Sequence, residues 1–383
     1  MRDRADVVII GGGINGVCAA YHLCKRGVRK VIVVEKDYLA AGSTGRCGAG
    51  VRHQWGAEMN VRLAREAIAQ YERADEELGY PGGIEFKQKG YLLLAYTDKQ
   101  VEQFKRNVSL QKSMGIPVDF LTPEEAREIV PHLNIEGLMG ATFCPKDGHI
   151  NPFKATDAYA RAARRLGAEI RLRTRVTGIK TRAGRVTGVV TTAGEIDAPV
   201  VINTAGPWSR EVGLMAGVDI PVYPQRHQIL VTEPVDPNLQ GPMVMSFHHN
   251  LYCQQTPHGS FIMGIGDPDE PKNHDYGSTW QFLEEMARKI CWLLPVLKGL
   301  RIVRQWAGSY ENSPDAHPII CEVSELKGFY VATGFSGHGF MLAPVAGLIL
   351  SQLITGEKPT LPAERLGLER FQTGELNIEP AVV

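Results

Sequence analysis

Gly11, Gly13 and Gly16 form the pattern G-x-G-x-x-G, and Glu35 follows 22 residues beyond Gly13. The pattern suits a phosphate. Its glycines allow a tight turn and close backbone approach to a pyrophosphate, and a helix starting there aims its positive end at the charge. A carboxylate at the spacing of Glu35 accepts a hydrogen bond from a ribose 2′-OH and repels a 2′-phosphate. Ile14 and Asn15 lie inside the turn, and Lys36 follows the acid. A second glycine cluster, GFSGHGFMLAPVAG at 334–347, carries Gly337, His338, Gly339, Phe340 and Met341. It too is built to lay backbone against a ligand.

Both clusters need elements to hold them. DVVII (6–10) is a short β-branched run ended by glycines and predicts a buried strand. INGVCAAYHLCKRG predicts a helix ending near Gly27, and KVIVVE a second strand that ends in Glu35. Together they predict a right-handed βαβ unit. Residues 57–79 predict an amphipathic helix, 84–97 two strands, and Thr122-Pro123 the start of another helix. FKATDAYARAARRLG predicts a helix, 176–203 a three-strand meander, 221–266 a strand-rich region, and GFYVATGF a strand entering the second glycine loop. This alternation predicts an α/β fold with an α+β insert. A Rossmann-like domain would come from residues 1–85, 146–220 and 303–383, and a mostly antiparallel second domain from 86–145 and 221–302.

Composition narrows the function classes. The 42 basic and 42 acidic residues cancel, which argues against nucleic acid as a partner. The most apolar late stretch, FMLAPVAGLILSQLI, is too short to span a bilayer, and the N-terminus lacks a signal-peptide pattern. Seven scattered cysteines without a CxxC pair predict neither a metal site nor a disulfide framework, and fit a cytoplasmic protein.

The first fingerprint does not separate NAD from FAD. LAAGSTGRCGAGVRHQW (39–55) favours FAD, because that longer dinucleotide needs backbone donors beyond the first turn; Ser43, Thr44, Arg46, Cys47 and Gly48 lie there. VVINTAGPWS brings Ala205, Gly206 and Trp208 to the end of an apolar strand. Taken with SPDAHPII and GFYVATGFSGHGFMLAP, these stretches resemble the D-amino-acid oxidase superfamily of flavoenzymes. Within it they resemble most the β subunits of dye-linked L-proline dehydrogenase and heterotetrameric sarcosine oxidase. The resemblance implies FAD-dependent oxidation of a C–N bond in a secondary or N-methylated amino acid, by hydride transfer to flavin N5. It also implies an α subunit, and an electron acceptor other than NAD. It places Val176 at the adenine end and Gly308, Gly337, His338, Gly339 and Phe340 near the flavin ring.

Departures from that family carry information. Monomeric sarcosine oxidases attach FAD to a cysteine where this chain has Gly308, so non-covalent FAD is expected. A histidine that holds FMN in the heterotetrameric enzymes is replaced near Phe153, so an FMN at a subunit interface would also be non-covalent. A lysine used in oxygen activation aligns near Ile262, which favours a dehydrogenase. Where a further lysine follows GFSGHGF, this chain has Met341, which predicts a more apolar pocket suited to proline. Arg52 is the expected clamp for the substrate carboxylate, because its planar fork matches both oxygens; a structural ion pair is its alternative. His53, His249 and Tyr252 are expected beside substrate as proton acceptor or carboxylate partners. Oxidation of glycine, an opine or a 2-hydroxy acid, and a flavin-bearing electron-transfer subunit without turnover, remain alternatives.

Overall fold

A computed structural model describes residues 3–379, and the ends of the predicted segments beyond these lie outside it. Val7–Ile10, Val31–Val34 and Val200–Asn203 are four-residue apolar strands. Strands of that kind lie in the middle of a parallel sheet, where both faces are covered. The sheet runs in the order Ile319–Glu322, Phe329–Thr333, Val200–Asn203, Val7–Ile10, Val31–Val34, Glu169–Arg171. All neighbours are parallel except the first pair, and Val7 lies between Val200 and Val31. Helices Ile14–Lys25, Glu58–Leu78, Pro152–Arg165 and Gly339–Thr355 bury one face. On the other face packs a smaller sheet made from Val176–Arg182, Arg185–Thr191 and Gly194–Asp197, antiparallel to one another, with Asp3–Arg4 at its edge. The predicted meander therefore exists, while Val200–Asn203 leaves it for the parallel sheet.

The second large sheet has eight strands, in the order Ile302–Asn312, Tyr223–Thr232, Phe261–Ile265, Leu251–Gln255, Met243–Ser246, Tyr91–Ala95, Gly140–Cys144, Asp119–Leu121. Only Met243–Ser246 and Tyr91–Ala95 pair in parallel. Alternation sorts its side chains: Leu92 and Leu94 pack under helices Pro123–Ile129 and Trp280–Leu293, while Tyr91 and Leu93 point the other way with Met243 and Met245. Two expectations change. Residues 84–97 make one strand, Tyr91–Ala95, because Gly90 turns the chain at φ +90°. Ile302–Asn312, from the stretch assigned above to the Rossmann-like domain, pairs along its length with Tyr223–Thr232.

Candidate active site

The parallel sheet ends in the first glycine cluster. Gly11 adopts φ +112°, and a Cβ on Gly16 would overlap the Gly11 carbonyl oxygen. Gly16 therefore packs the helix onto the strand and does not line the cavity. Helix Ile14–Lys25 has no side-chain cap at Gly13, and the Ile14 N–H donates to Thr44 Oγ1 (3.2 Å). The Glu35 side chain accepts from Gly12 N (2.6 Å) and Asp37 N (2.8 Å), which fixes it at the strand end. Asn15 Nδ2 donates to Gly339 O (3.2 Å), tying the two glycine clusters together across the chain. Asn15 Oδ1 is buried without a hydrogen-bond partner.

A cavity of about 620 Å³ starts at this cradle and runs toward the eight-stranded sheet. Its walls include Gly11, Gly13, Ile14, Asn15, Glu35 and Lys36 at one end, then Val176, Ala205, Gly206 and Trp208. Lys36 Nζ lies 3.1 Å from the centre of the Trp208 ring, and burial lowers its pKa. In the middle stand Ser43, Thr44, Arg46, Cys47, Gly48 and Gly308. Ser43 Oγ donates to Ser309 O (2.6 Å) and Trp306 Nε1 to Arg46 O (3.0 Å), so residues separated by some 260 positions form one wall. A Cβ on Gly308 would meet Arg46 Cβ at 3.2 Å. The Cys47 thiol donates to Thr44 O (3.1 Å), and burial pushes its pKa up to about 11. Gly337, His338, Gly339, Phe340 and Met341 close the far side, where helix Gly339–Thr355 begins.

The inner end is aromatic. His227 stacks on Tyr310 (4.5 Å between centres, 9° between planes) and on Tyr252 (5.8 Å, 8°). Each tyrosine lies in a glycine socket: Tyr310 against Gly337, Tyr252 against Gly48 and Gly264, Tyr91 against Gly50. Burial pushes all three phenols upward and holds His227 down to about 4, so these groups are neutral. Met243 and Met245 complete that wall. Arg52 is 1% exposed, with its guanidinium 4.0 Å above the Trp55 ring. Trp55 meets His338 edge-on at 4.3 Å, and burial, helped by Arg52, drives the His338 pKa well down. Glu311 also lines the cavity, and burial raises its pKa to about 7.

Two expected residues stand elsewhere. His53 turns away from the cavity, and its Nδ1 pairs with Asp147 Oδ1 (2.8 Å). His249 sits among Tyr96, His248 and Trp292, apart from the cavity, because the turn before Leu251–Gln255 projects it toward helix Trp280–Leu293. Sequence reasoning missed Tyr91, His227, Tyr310, Met243, Met245 and Glu311. Only His227 offered a signal, as a lone imidazole in the apolar run around HQILV.

A phosphate cradle on a parallel sheet, opening into an aromatic chamber with one buried arginine, defines a dinucleotide-dependent protein with a reaction chamber beside its cofactor. The chain belongs to the FAD dependent oxidoreductase family, whose model matches residues 6–353, and it is an oxidoreductase of that family. The solved L-proline dehydrogenase from P. horikoshii is similar over 98% of this chain and 100% of its own, with 41% identity and a TM-score of 0.93. A sarcosine oxidase subunit beta from Rhodobacter capsulatus is 30% identical, covering 98% of this chain and 90% of that one. Mouse mitochondrial dimethylglycine dehydrogenase is 32% identical over 97% of this chain, which spans 44% of that protein. No helix among the described residues is long and apolar enough to cross a membrane.

Proposed function

We propose that this enzyme oxidises the C–N bond of a secondary or N-methylated amino acid, L-proline or sarcosine first, and passes the electrons to an acceptor other than NAD. One observation carries the reading: a buried arginine stands at the inner end of the cavity among neutral tyrosines, a neutral histidine and methionines, with the burial-raised carboxyl of Glu311 in the same wall. Such a chamber suits one carboxylate and an apolar ring or methyl group. The names of the three relatives, for proline, sarcosine and dimethylglycine, agree.

The cradle supports non-covalent FAD. Helix Ile14–Lys25 has no side-chain cap at Gly13 and turns its N-terminus to the cavity for the pyrophosphate, Glu35 would meet the ribose, Asn15 Oδ1 lacks a donor, and Cys47 keeps its proton. Bound FAD would supply the hydride acceptor. The chain's own residues do the rest. Arg52 binds the carboxylate through its planar fork. Tyr252, Tyr310 and Met341 exclude water and orient the carbon skeleton. Neutral His227 stacks on Tyr310 and Tyr252 and holds the two rings in place. The cost of misplacing these groups is large, since near-attack geometry contributes on the order of 7–11 kcal/mol in favourable cases.

A partner subunit belongs to the same reading, with an FMN at its interface near Phe153, which is 55% exposed. Seven unpaired cysteines fit a reducing compartment, and we place the enzyme in the cytoplasm. The test is anaerobic substrate addition to the purified native complex, followed by dye-coupled turnover on a panel of amino acids, opines and 2-hydroxy acids. Bleaching of the flavin band by proline or sarcosine is expected. A band that responds only to a 2-hydroxy acid or a primary amine would overturn the substrate class, and flavin extraction reports FMN.

A further inference from the structure

Arg52 follows the two-residue strand Gly50–Val51, and residues 52–55 lie in no helix or strand. Buried backbone without regular structure must find its partners among side chains. The partner here is Asp147, 94 residues away and 0% exposed. Its Oδ1 accepts from His53 N (2.7 Å) and pairs with His53 Nδ1 (2.8 Å), while Oδ2 accepts from Gln54 Nε2 (3.0 Å). Gln54 Nε2 also donates to Tyr91 O (3.0 Å), and Gln54 Oε1 accepts from Thr142 Oγ1 (2.7 Å). The Gln54 carbonyl in turn accepts from Arg52 Nη1 (2.9 Å). Trp55 Nε1 donates to Arg52 O (3.1 Å), setting the ring under the guanidinium. Two cavity residues, Arg52 and Tyr91, thus bond to Gln54, which Asp147 holds, and neither Gln54 nor Asp147 lines the cavity.

The donor atoms of His53, Cys144 and Asp147 lie within 4.8 Å of one another, a spacing that could also hold a metal. The bonding argues otherwise. Both Asp147 oxygens already receive N–H groups, and burial pushes the Cys144 thiol far above the range where it would ionise. The cluster is a hydrogen-bonded post, anchored because a Cβ on the next residue, Gly148, would run into the backbone at Lys87 and Gln88.

We propose that Asp147 is a positioning residue for carboxylate recognition: through His53 and Gln54 it fixes the turn that aims Arg52 into the chamber. This rests on Arg52 being the carboxylate clamp. A displacement of about 1 Å at such a group is enough for a ~10²-fold loss.

The test uses the FAD-loaded enzyme and two ligands read by flavin absorbance: cyclopentanecarboxylate, which lacks the amine, and pyrrolidine, which lacks the carboxylate. Asp147→Ala is expected to weaken cyclopentanecarboxylate by roughly tenfold to a hundredfold and to leave pyrrolidine within about twofold. KM for the best substrate should rise more than kcat falls, and Asp147→Asn, which keeps one acceptor oxygen and sets a donor against the other partner, should recover only part of the loss. Equal weakening of both ligands, or of neither, overturns the proposal. Should Asp147→Ala lose FAD, Gln54→Met cuts the same link from the other side, and unchanged carboxylate binding there is equally decisive. Arg52→Ala separates the two readings. If it leaves cyclopentanecarboxylate binding intact, the clamp itself is wrong; if it weakens binding while the Asp147 and Gln54 variants do not, only the positioning role falls.

Discussion

Met341 shows how one side chain sets the character of the chamber. It lines the cavity at 8% exposure, at the first turn of Gly339–Thr355. A lysine there would add a second cation beside the buried Arg52 and shorten the apolar wall. Met341→Lys is therefore expected to lower kcat/KM for proline relative to sarcosine by about tenfold or more, the scale at which pocket fit discriminates substrates. Measuring both substrates with the same dye acceptor checks it, and an unchanged ratio would detach Met341 from selectivity. The place of Arg52 on the cavity wall was legible because it directly follows the glycine-rich segment that forms the middle of that wall. His227, Tyr310 and Tyr91 were not, since their meeting depends on strand pairings such as His227 with Gly308 and Tyr252 with Gly264. Hydrophobic pattern says which residues are buried and not which buried surface becomes a cavity wall. His249 illustrates the reverse: a plausible residue type whose strand turn carries it to a different cluster.

At the scale of elements, the glycine cradle was readable because its constraints are local. Gly11, Gly13 and Gly16 act within one strand–turn–helix unit, where Gly11 adopts φ +112° and a Cβ on Gly16 would have no room. The sharpest consequence concerns Gly16, which touches no cavity. A methyl group there overlaps the Gly11 carbonyl and comes within 3.0 Å of Thr204 Oγ1, itself bonded to Ile10 O (2.9 Å). Neither neighbour can yield without moving the parallel sheet. Gly16→Ala should lower the unfolding temperature and release FAD on gel filtration, whereas Gly241→Ala, which meets nothing within 4 Å, should do neither. Retention of FAD by Gly16→Ala would mean that the helix shifts more freely than its packing implies. The eight-stranded sheet was less legible. Its parallel pair, Met243–Ser246 with Tyr91–Ala95, joins segments about 150 residues apart, and no local signal announces such a pairing.

Across the whole molecule, the chain's ends close what its middle builds. The Glu379 side chain accepts from Gly56 N (2.9 Å), Ala57 N (3.1 Å) and Asn60 Nδ2 (2.9 Å), capping helix Glu58–Leu78 just beyond the Arg52 turn. Arg370 pairs with the buried Asp315 (2.8 Å) in the same closing segment. Burial on this scale also leaves a mark on titration. His22, His149 and His227 are each held down to about 4 by burial, with neighbouring cations assisting at His22 (Arg26, Lys25) and at His149 (Lys89, Lys87). A histidine whose folded pKa is depressed takes up its proton on unfolding, so its contribution is full above about 6.5 and is lost as pH falls toward 4. Each is worth on the order of 3 kcal/mol across that window. Glu311, raised to about 7 by burial, acts in the opposite sense: its contribution is full below the usual carboxylate value and fades as pH rises through 7. His249, His317 and His338, also lowered by burial, act in the same sense; the three histidines held near 4, against one carboxyl, by themselves leave the unfolded chain binding about two more protons between pH 4.5 and 6.5. Stability should therefore climb with pH through that range, at up to about 2.7 kcal/mol per pH unit from these groups. Thermal unfolding followed at half-unit steps checks the sign. His22→Gln, which removes one titrating ring outside the cavity, should flatten the climb by up to about 1.4 kcal/mol per pH unit; a slope unchanged by that substitution would mean that His22 is not held neutral by its surroundings.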